Sequence, residues 1–253
     1  MSQYVRLIFF TLILSYLLLC SIVFFYQRSL IYHPTPSLPV EASKITTLAV
    51  DNASLKVSIR ELETDNAIIY FGGNAETVAS SLPKYANAFP NHAIYMPHYR
   101  GYSGSTGTPT EAALHKDAEK LYDLVRSKHS TITVIGRSLG SGVAIRLAAT
   151  HEVTKLVLVT PYDSILNLSK QRFPYLPIKF MLKDTFESWR SAPQVKAPTI
   201  ILAAENDHVI PKENAEALYA KFSAGVATFK VIKNVDHHSI SLSPEYFPLM
   251  QND

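Results

Sequence analysis

Thr131-Ile132-Thr133-Val134-Ile135-Gly136-Arg137-Ser138-Leu139-Gly140 is the stretch on which the reading of this chain turns. Five residues rich in β-branched side chains predict a buried strand, and the small-residue pattern Ser141-Gly142-Val143-Ala144-Ile145 that follows predicts a helix. A strand passing into a helix through so few residues needs a strained turn at Ser138. Its neighbours two positions away must then lack bulky Cβ groups, which Gly136 and Gly140 satisfy. In such a turn the serine hydroxyl stands above the sheet. The next amide, that of Leu139, lies at a helix N-terminus, where it can stabilise an oxyanion.

A serine hydroxyl is a poor nucleophile at neutral pH and needs a base held in one tautomer by a carboxylate. Downstream, the predicted strand Thr199–Ala203 leads into Glu205-Asn206-Asp207-His208, which places Asp207 on a loop at a strand's carboxyl end. The last predicted strand leads into Asn234-Val235-Asp236-His237-His238-Ser239. The residues alone leave His237 and His238 both open as the base, and Glu205 and Asp163 stand in reserve for Asp207. Upstream, Ala67–Phe71 ends in Gly72-Gly73-Asn74-Ala75, a turn whose glycines let the backbone approach a substrate and whose Asn74 amide is the candidate second oxyanion donor.

Further predicted strands are Ile45–Val50, Leu55–Leu62, His92–Met96, Lys155–Val159 and Thr228–Ile232, alternating with helical patterns. That alternation predicts a mostly parallel sheet with helices on both faces. In the helix after Pro109, Leu114, Ala118, Leu121 and Val125 form the inner stripe, and Lys116, Asp117, Glu119 and Lys120 are expected to face water. Thr108 is its expected cap, Pro109 its first residue and Glu111 the partner in a capping box. Residues 163–190 break the alternation with bulky apolar side chains and are a candidate lid.

The 253-residue chain carries 18% charged residues and a formal net charge of +3, too small a basic excess to predict a nucleic-acid partner. One cysteine, Cys20, excludes an intramolecular disulfide and a cysteine-built zinc site. No histidine pair has metal-ligand spacing, so neither metal nor cofactor is expected. His208 reads as an ordinary loop histidine, and Arg100 and Arg137 as loop anchors. From Leu7 to Tyr26 run 20 residues without a charge, enough to span a ~30 Å hydrocarbon layer as a helix. Arg6 and Arg28 bracket the run, and Leu17-Leu18-Leu19 before Cys20 argue against cleavage as a signal peptide or lipoprotein. The organisation expected is a single-pass membrane anchor over 1–28, an extended connector over 29–44 and one catalytic domain over 45–253. The flanking charges are too balanced to fix which side the domain occupies.

At these motifs the chain resembles the α/β-hydrolases, most closely the membrane-anchored subgroup of Bem-type and ABHD-type proteins. The marks are Ser29-Leu30-Ile31-Tyr32-His33-Pro34, Gly72-Gly73-Asn74-Ala75-Glu76, Tyr99-Arg100-Gly101-Tyr102-Ser103-Gly104-Ser105, the turn around Ser138 and the C-terminal histidine. The resemblance implies the α/β-hydrolase fold and a Ser138, Asp207, His237 triad. It selects His237 over His238, because the family's final histidine follows a short triplet matched here by the residues before His237. Where relatives usually begin the oxyanion loop with histidine this chain has Gly72, which removes a side-chain support. Relatives of this kind hydrolyse acyl esters or thioesters, including lysophospholipids, monoacylglycerols and palmitoylated proteins, so a lipid or acylated substrate is implied. A serine peptidase on the same triad and a catalytically silent tethered scaffold are the rival expectations.

Overall fold

The computed structural model describes residues 3–36 and 44–251. Residues 37–43, the second half of the expected connector, lie outside the described residues. Along the chain come α1 (Gln3–Ile31), β1 (Lys44–Val50), β2 (Ala53–Arg60), β3 (Asn66–Phe71), α2 (Val78–Ala88), β4 (Ala93–Pro97), α3 (Glu111–Arg126), β5 (Thr131–Arg137), α4 (Leu139–Thr150) and β6 (Lys155–Val159). There follow α5 (Ile165–Arg172), α6 (Ile178–Met181), α7 (Ser188–Ser191), β7 (Thr199–Ala204), α8 (Lys212–Tyr219), β8 (Ala227–Ile232) and α9 (Tyr246–Gln251).

The described strands form one sheet in the order β1-β2-β4-β3-β5-β6-β7-β8. Pairing is antiparallel from β1 to β2 and from β2 to β4, and parallel thereafter. Alternation of side chains along each strand divides the core between two faces. Ile69, Phe71, Val134, Leu158 and Ile201 pack with Leu114 and Leu121 of α3 and Val143 of α4. Ile68, Tyr70, Ile135, Val157 and Leu202 pack on the other side with Val78 and Leu82 of α2 and Tyr246 of α9. Burial on both faces is why these strands read as continuous apolar runs.

Three expectations need correction. The helix α1 does not stop at residue 28 but runs to Ile31, into the expected connector, as Gln27 and Arg28 find partners in the 163–190 insert. The cap of α3 is Thr110, whose side chain accepts from the Ala113 amide, so Thr108 and Pro109 stay outside the helix. Glu111 makes no capping box; its carboxylate accepts instead from the Thr185 amide at 2.7 Å. Finally, Asp117 does not face water. It is buried and forms a two-bond ion pair with Arg100, Nε to Oδ2 at 2.8 Å and Nη2 to Oδ1 at 2.7 Å. That pair anchors the 99–105 loop to α3, the role expected of Arg100.

One buried titratable group beside β2 gives a pH prediction. His98 is 4% exposed and shares a hydrogen with the Ser58 hydroxyl at 2.8 Å. Burial disfavours its charged form and pushes its pKa from 6.5 down to about 4. The unfolded chain therefore takes up the proton first, and stability present at pH 7.5 is lost as pH falls through 6.5 toward 4. The loss at pH 4.5 is roughly 2 to 3 kcal/mol. Thermal unfolding of the wild type and His98→Gln at pH 7.5 and 4.5 checks this: the acid-induced drop in Tm should be visibly smaller in the variant.

Candidate active site

The loops after β3, β5, β7 and β8 all leave the carboxyl ends of parallel strands, so the sheet alone gathers four separate stretches of sequence at one edge. Ser138 sits between β5 and α4 with φ 50° and ψ −118°, a backbone conformation that L residues adopt only when their surroundings enforce it. The enforcement comes from contact: a Cβ on Gly140 would lie 2.1 Å from the Phe71 carbonyl oxygen, and one on Gly136 would lie 2.5 Å from the Gly140 oxygen. The Ser141 amide and hydroxyl both donate to the Ser138 carbonyl, at 2.9 and 2.6 Å, closing the turn.

His237 Nε2 lies 3.0 Å from Ser138 Oγ, and His237 Nδ1 lies 2.8 Å from Asp207 Oδ2. Because a carboxylate only accepts, Nδ1 carries the proton, and the Nε2 lone pair is left for the serine hydroxyl. The other Asp207 oxygen accepts from the Val209 and Ile210 amides at 2.9 and 2.7 Å, so the carboxylate is held from its own loop. All three side chains are buried. His238 is exposed. Asp236 accepts from the Ser239 amide and hydroxyl and from the His238 amide, which together hold its carboxyl below the usual range. This turn directs the ring of residue 237 inward and that of 238 outward. The reserve acids are engaged elsewhere, Glu205 with the Asn234 amide and Asp163 with the side chains of Asn167 and Asn214.

Asn74 and Leu139 line the same cavity as Ser138. The Asn74 side-chain oxygen accepts from the His33 amide at 2.8 Å and from the Tyr102 hydroxyl at 2.9 Å, tying the 72–76 loop to the chain leaving α1. The Tyr99 hydroxyl donates to the Gly72 carbonyl at 2.8 Å. Glu76, not anticipated in this role, and Arg137, expected as a loop anchor, complete the frame. Glu76 accepts from the Gly73 amide, the Tyr70 hydroxyl and the Ser81 hydroxyl, each at 2.8 Å, and lies 3.7 Å from Arg137. Arg137 in turn donates to the His237 carbonyl at 3.1 Å. Glu76 thus braces the loop where Gly72 has no side chain. Only its position in the 72–76 motif hinted at this.

The cavity beside Ser138 holds about 670 Å³. Its walls are Val23, Gln27, Leu30 and Ile31 of α1, Ile165, Leu168, Phe173, Ile178 and Leu182 of the insert, and His208 to Pro211 after β7. Among the described residues no cluster of three His, Cys, Asp or Glu side chains is placed to hold a metal.

The serine hydrolase family model matches residues 106–239. An uncharacterized protein of Mycobacterium tuberculosis is 30% identical over 154 residues, a match covering 59% of this chain and 54% of that protein, so the chain spans about half of that relative's length. Protein bem46 of Schizosaccharomyces pombe is 26% identical over 254 residues, covering 89% of this chain and 84% of the relative. Among solved structures, an esterase of Pyrococcus furiosus superposes with a TM-score of 0.65 at 18% identity, covering 86% of this chain and 96% of the esterase.

Proposed function

The chain belongs to the serine hydrolase family, as an α/β-hydrolase of the Bem46 and ABHD type, and from that membership we propose that it cleaves acyl esters or thioesters whose acyl group is lipid-derived. Ser138 is the nucleophile, His237 the general base and Asp207 the carboxylate that orients it. As Ser138 Oγ attacks the carbonyl carbon its proton passes to His237 Nε2, and the developing oxyanion is held by the Leu139 and Asn74 amides. Collapse breaks the bond to the leaving oxygen or sulfur, which takes the proton from His237. Water then gives a proton to the same nitrogen, attacks the acyl-enzyme and releases the acid and free Ser138.

The observation that carries this reading is the hydrogen-bonded chain from Ser138 Oγ through His237 to Asp207, opening into an apolar-walled cavity. The helix α1 supports the lipid part. It has 29 residues, about 43 Å of helix, and a mean hydropathy of 2.7 over its most apolar window. We read it as a retained single-pass anchor, because Gln27 and Arg28 bond to the insert at Met181, Lys183 and Asp184. A cavity walled by that helix gives an aliphatic chain a dry place to lie.

Turnover of p-nitrophenyl esters of increasing acyl length by the detergent-solubilised protein tests the assignment. Burying one methylene contributes about 0.8 kcal/mol, so kcat/KM should rise by up to about fourfold per added carbon until the cavity is filled. A profile that falls beyond acetate or butyrate would remove the lipid-derived acyl group from the proposal.

Glu76 acts in this scheme as a positioning residue. In Glu76→Gln an amide NH₂ must face some of the donors that the carboxylate now accepts from, and the oxyanion loop shifts. A displacement of order 1 Å costs up to about 100-fold in rate, so kcat should fall roughly 10- to 100-fold with KM little changed. A variant defective only in folding would instead show normal kcat per fluorophosphonate-titrated site.

A further inference from the structure

The insert that covers the cavity presents an unusual outer surface. From Ser164 to Lys183 it carries Lys170, Arg172, Lys179 and Lys183 and no acidic residue. Its tip exposes large rings: Tyr175 is 88% exposed and Phe180 85%, with Phe173 at 40%. Monomeric proteins rarely leave such rings clustered in water.

What lies over this surface follows from how the insert is fixed to α1. On α1, Cys20, Val23, Phe24, Gln27, Arg28 and Ile31 are the partly or fully buried positions of the C-terminal turns, one stripe at helical spacing. Arg28 pairs with Asp184 at 2.9 Å, Gln27 donates to the Met181 carbonyl and accepts from the Lys183 amide, and the Lys183 ammonium sits 4.5 Å from the Phe24 ring centroid. Farthest up the helix, the Tyr16 hydroxyl donates to the Tyr175 carbonyl at 2.8 Å. Tyr16 lies about 15 Å along the axis from Tyr26, inside the uncharged run. Wherever a bilayer receives that run, it also receives the tip of the insert.

We propose that residues 173–180 are seated in the domain-side leaflet of a membrane rich in anionic phospholipid, with Tyr175 reaching the depth of Tyr16. Phe173, Tyr175 and Phe180 enter the apolar boundary, and Lys170, Arg172 and Lys179 lie against the headgroup phosphates. The rings supply burial, and the flanking cations supply attraction to the charged leaflet. The Ser138 cavity, walled by the same insert, then opens within the membrane and not into water. The proposal rests on reading α1 as an anchor, but not on catalysis.

The full chain, reconstituted in vesicles of phosphatidylcholine alone or with roughly a third phosphatidylserine, carries a bimane label on one cysteine at a time. Native Cys20 reports α1, Phe180→Cys in a Cys20→Ser background reports the tip, and Leu242→Cys in the same background reports a site 71% exposed between β8 and α9. Positions 20 and 180 should be quenched by doxyl-labelled lipid and shielded from iodide, and position 242 the reverse. Phosphatidylserine should deepen the lipid quenching at 180 several-fold. Lys170→Glu with Lys179→Glu should abolish that gain and leave position 20 unchanged. If 180 behaves like 242 while 20 remains lipid-quenched, the insert lies in water and the proposal fails with the anchor intact. Iodide quenching at 20 as well would overturn the anchor reading with it. A label at 180 shielded from both quenchers would mean that protein covers the tip, and equal quenching with and without phosphatidylserine would overturn the anionic-leaflet assignment.

Discussion

Ser138→Ala is expected to lower kcat by about 10⁴- to 10⁶-fold and to abolish labelling by a fluorophosphonate probe, with Tm unchanged. The size follows from removing the oxygen that the proposed chemistry makes the nucleophile. His237 Nε2 has the serine oxygen as its hydrogen-bond partner at 3.0 Å, so no other hydroxyl takes over the attack. Folding is spared, because alanine retains the Cβ that the turn already accommodates at φ 50°. Asp207→Asn should fall by about 10⁴-fold, since an amide presents a donor toward Nδ1 and favours the wrong tautomer. The double variant should be no slower than Ser138→Ala alone, because the three side chains act as one unit and their losses do not add. Additive losses, or wild-type labelling of Ser138→Ala, would be incompatible with the proposed chemistry.

Gly140→Ala should be the most damaging single-methyl change in the domain. The added carbon would meet the Phe71 oxygen at 2.1 Å and the Gly72 oxygen at 2.6 Å, both backbone atoms with no rotamer to give way. Relief requires α4 to withdraw from the end of β3, which moves the serine turn and the oxyanion loop together. Overpacking of this kind costs about 3 kcal/mol, or roughly 10 °C in Tm for a domain of this size, and activity should fall further than the residual folded fraction explains. Gly73→Ala is the control. Its nearest contacts, to Glu76 and to the Ser138 Cβ, lie at 3.5 Å, ordinary van der Waals distance, so stability should hold. Thermal denaturation of the pair separates crowding from a generic loss of glycine.

The strands of the sheet were legible because burial on both faces demands unbroken β-branched and aliphatic runs; Lys155–Val159 was placed to the residue. The serine turn was legible for a different reason, the steric need for small residues on either side of it. Asp117 departs from the expectation that a charged residue faces water, and its spacing of three from Leu114 and four from Leu121 puts it on the inner stripe of α3. Its partner, Arg100, comes from a loop that periodicity does not position. The end of α1 was misplaced for a related reason: Gln27 and Arg28 look like a polar boundary until the insert supplies their partners from more than 150 residues away. Choosing between the adjacent histidines from residues alone was equally beyond periodicity, since both occupy one irregular loop, and the Asp236 turn separates them only in three dimensions.

The hydrogen bonds from the His33 amide to the side chain of Asn74 and to the Tyr102 hydroxyl join the end of α1 to the loop beside the nucleophile. A tail that served merely as a leash could be exchanged for any other greasy segment. Here the apolar helix and the Ser138 cavity share a wall, so deleting the helix should reshape the pocket as well as remove any hold on a membrane.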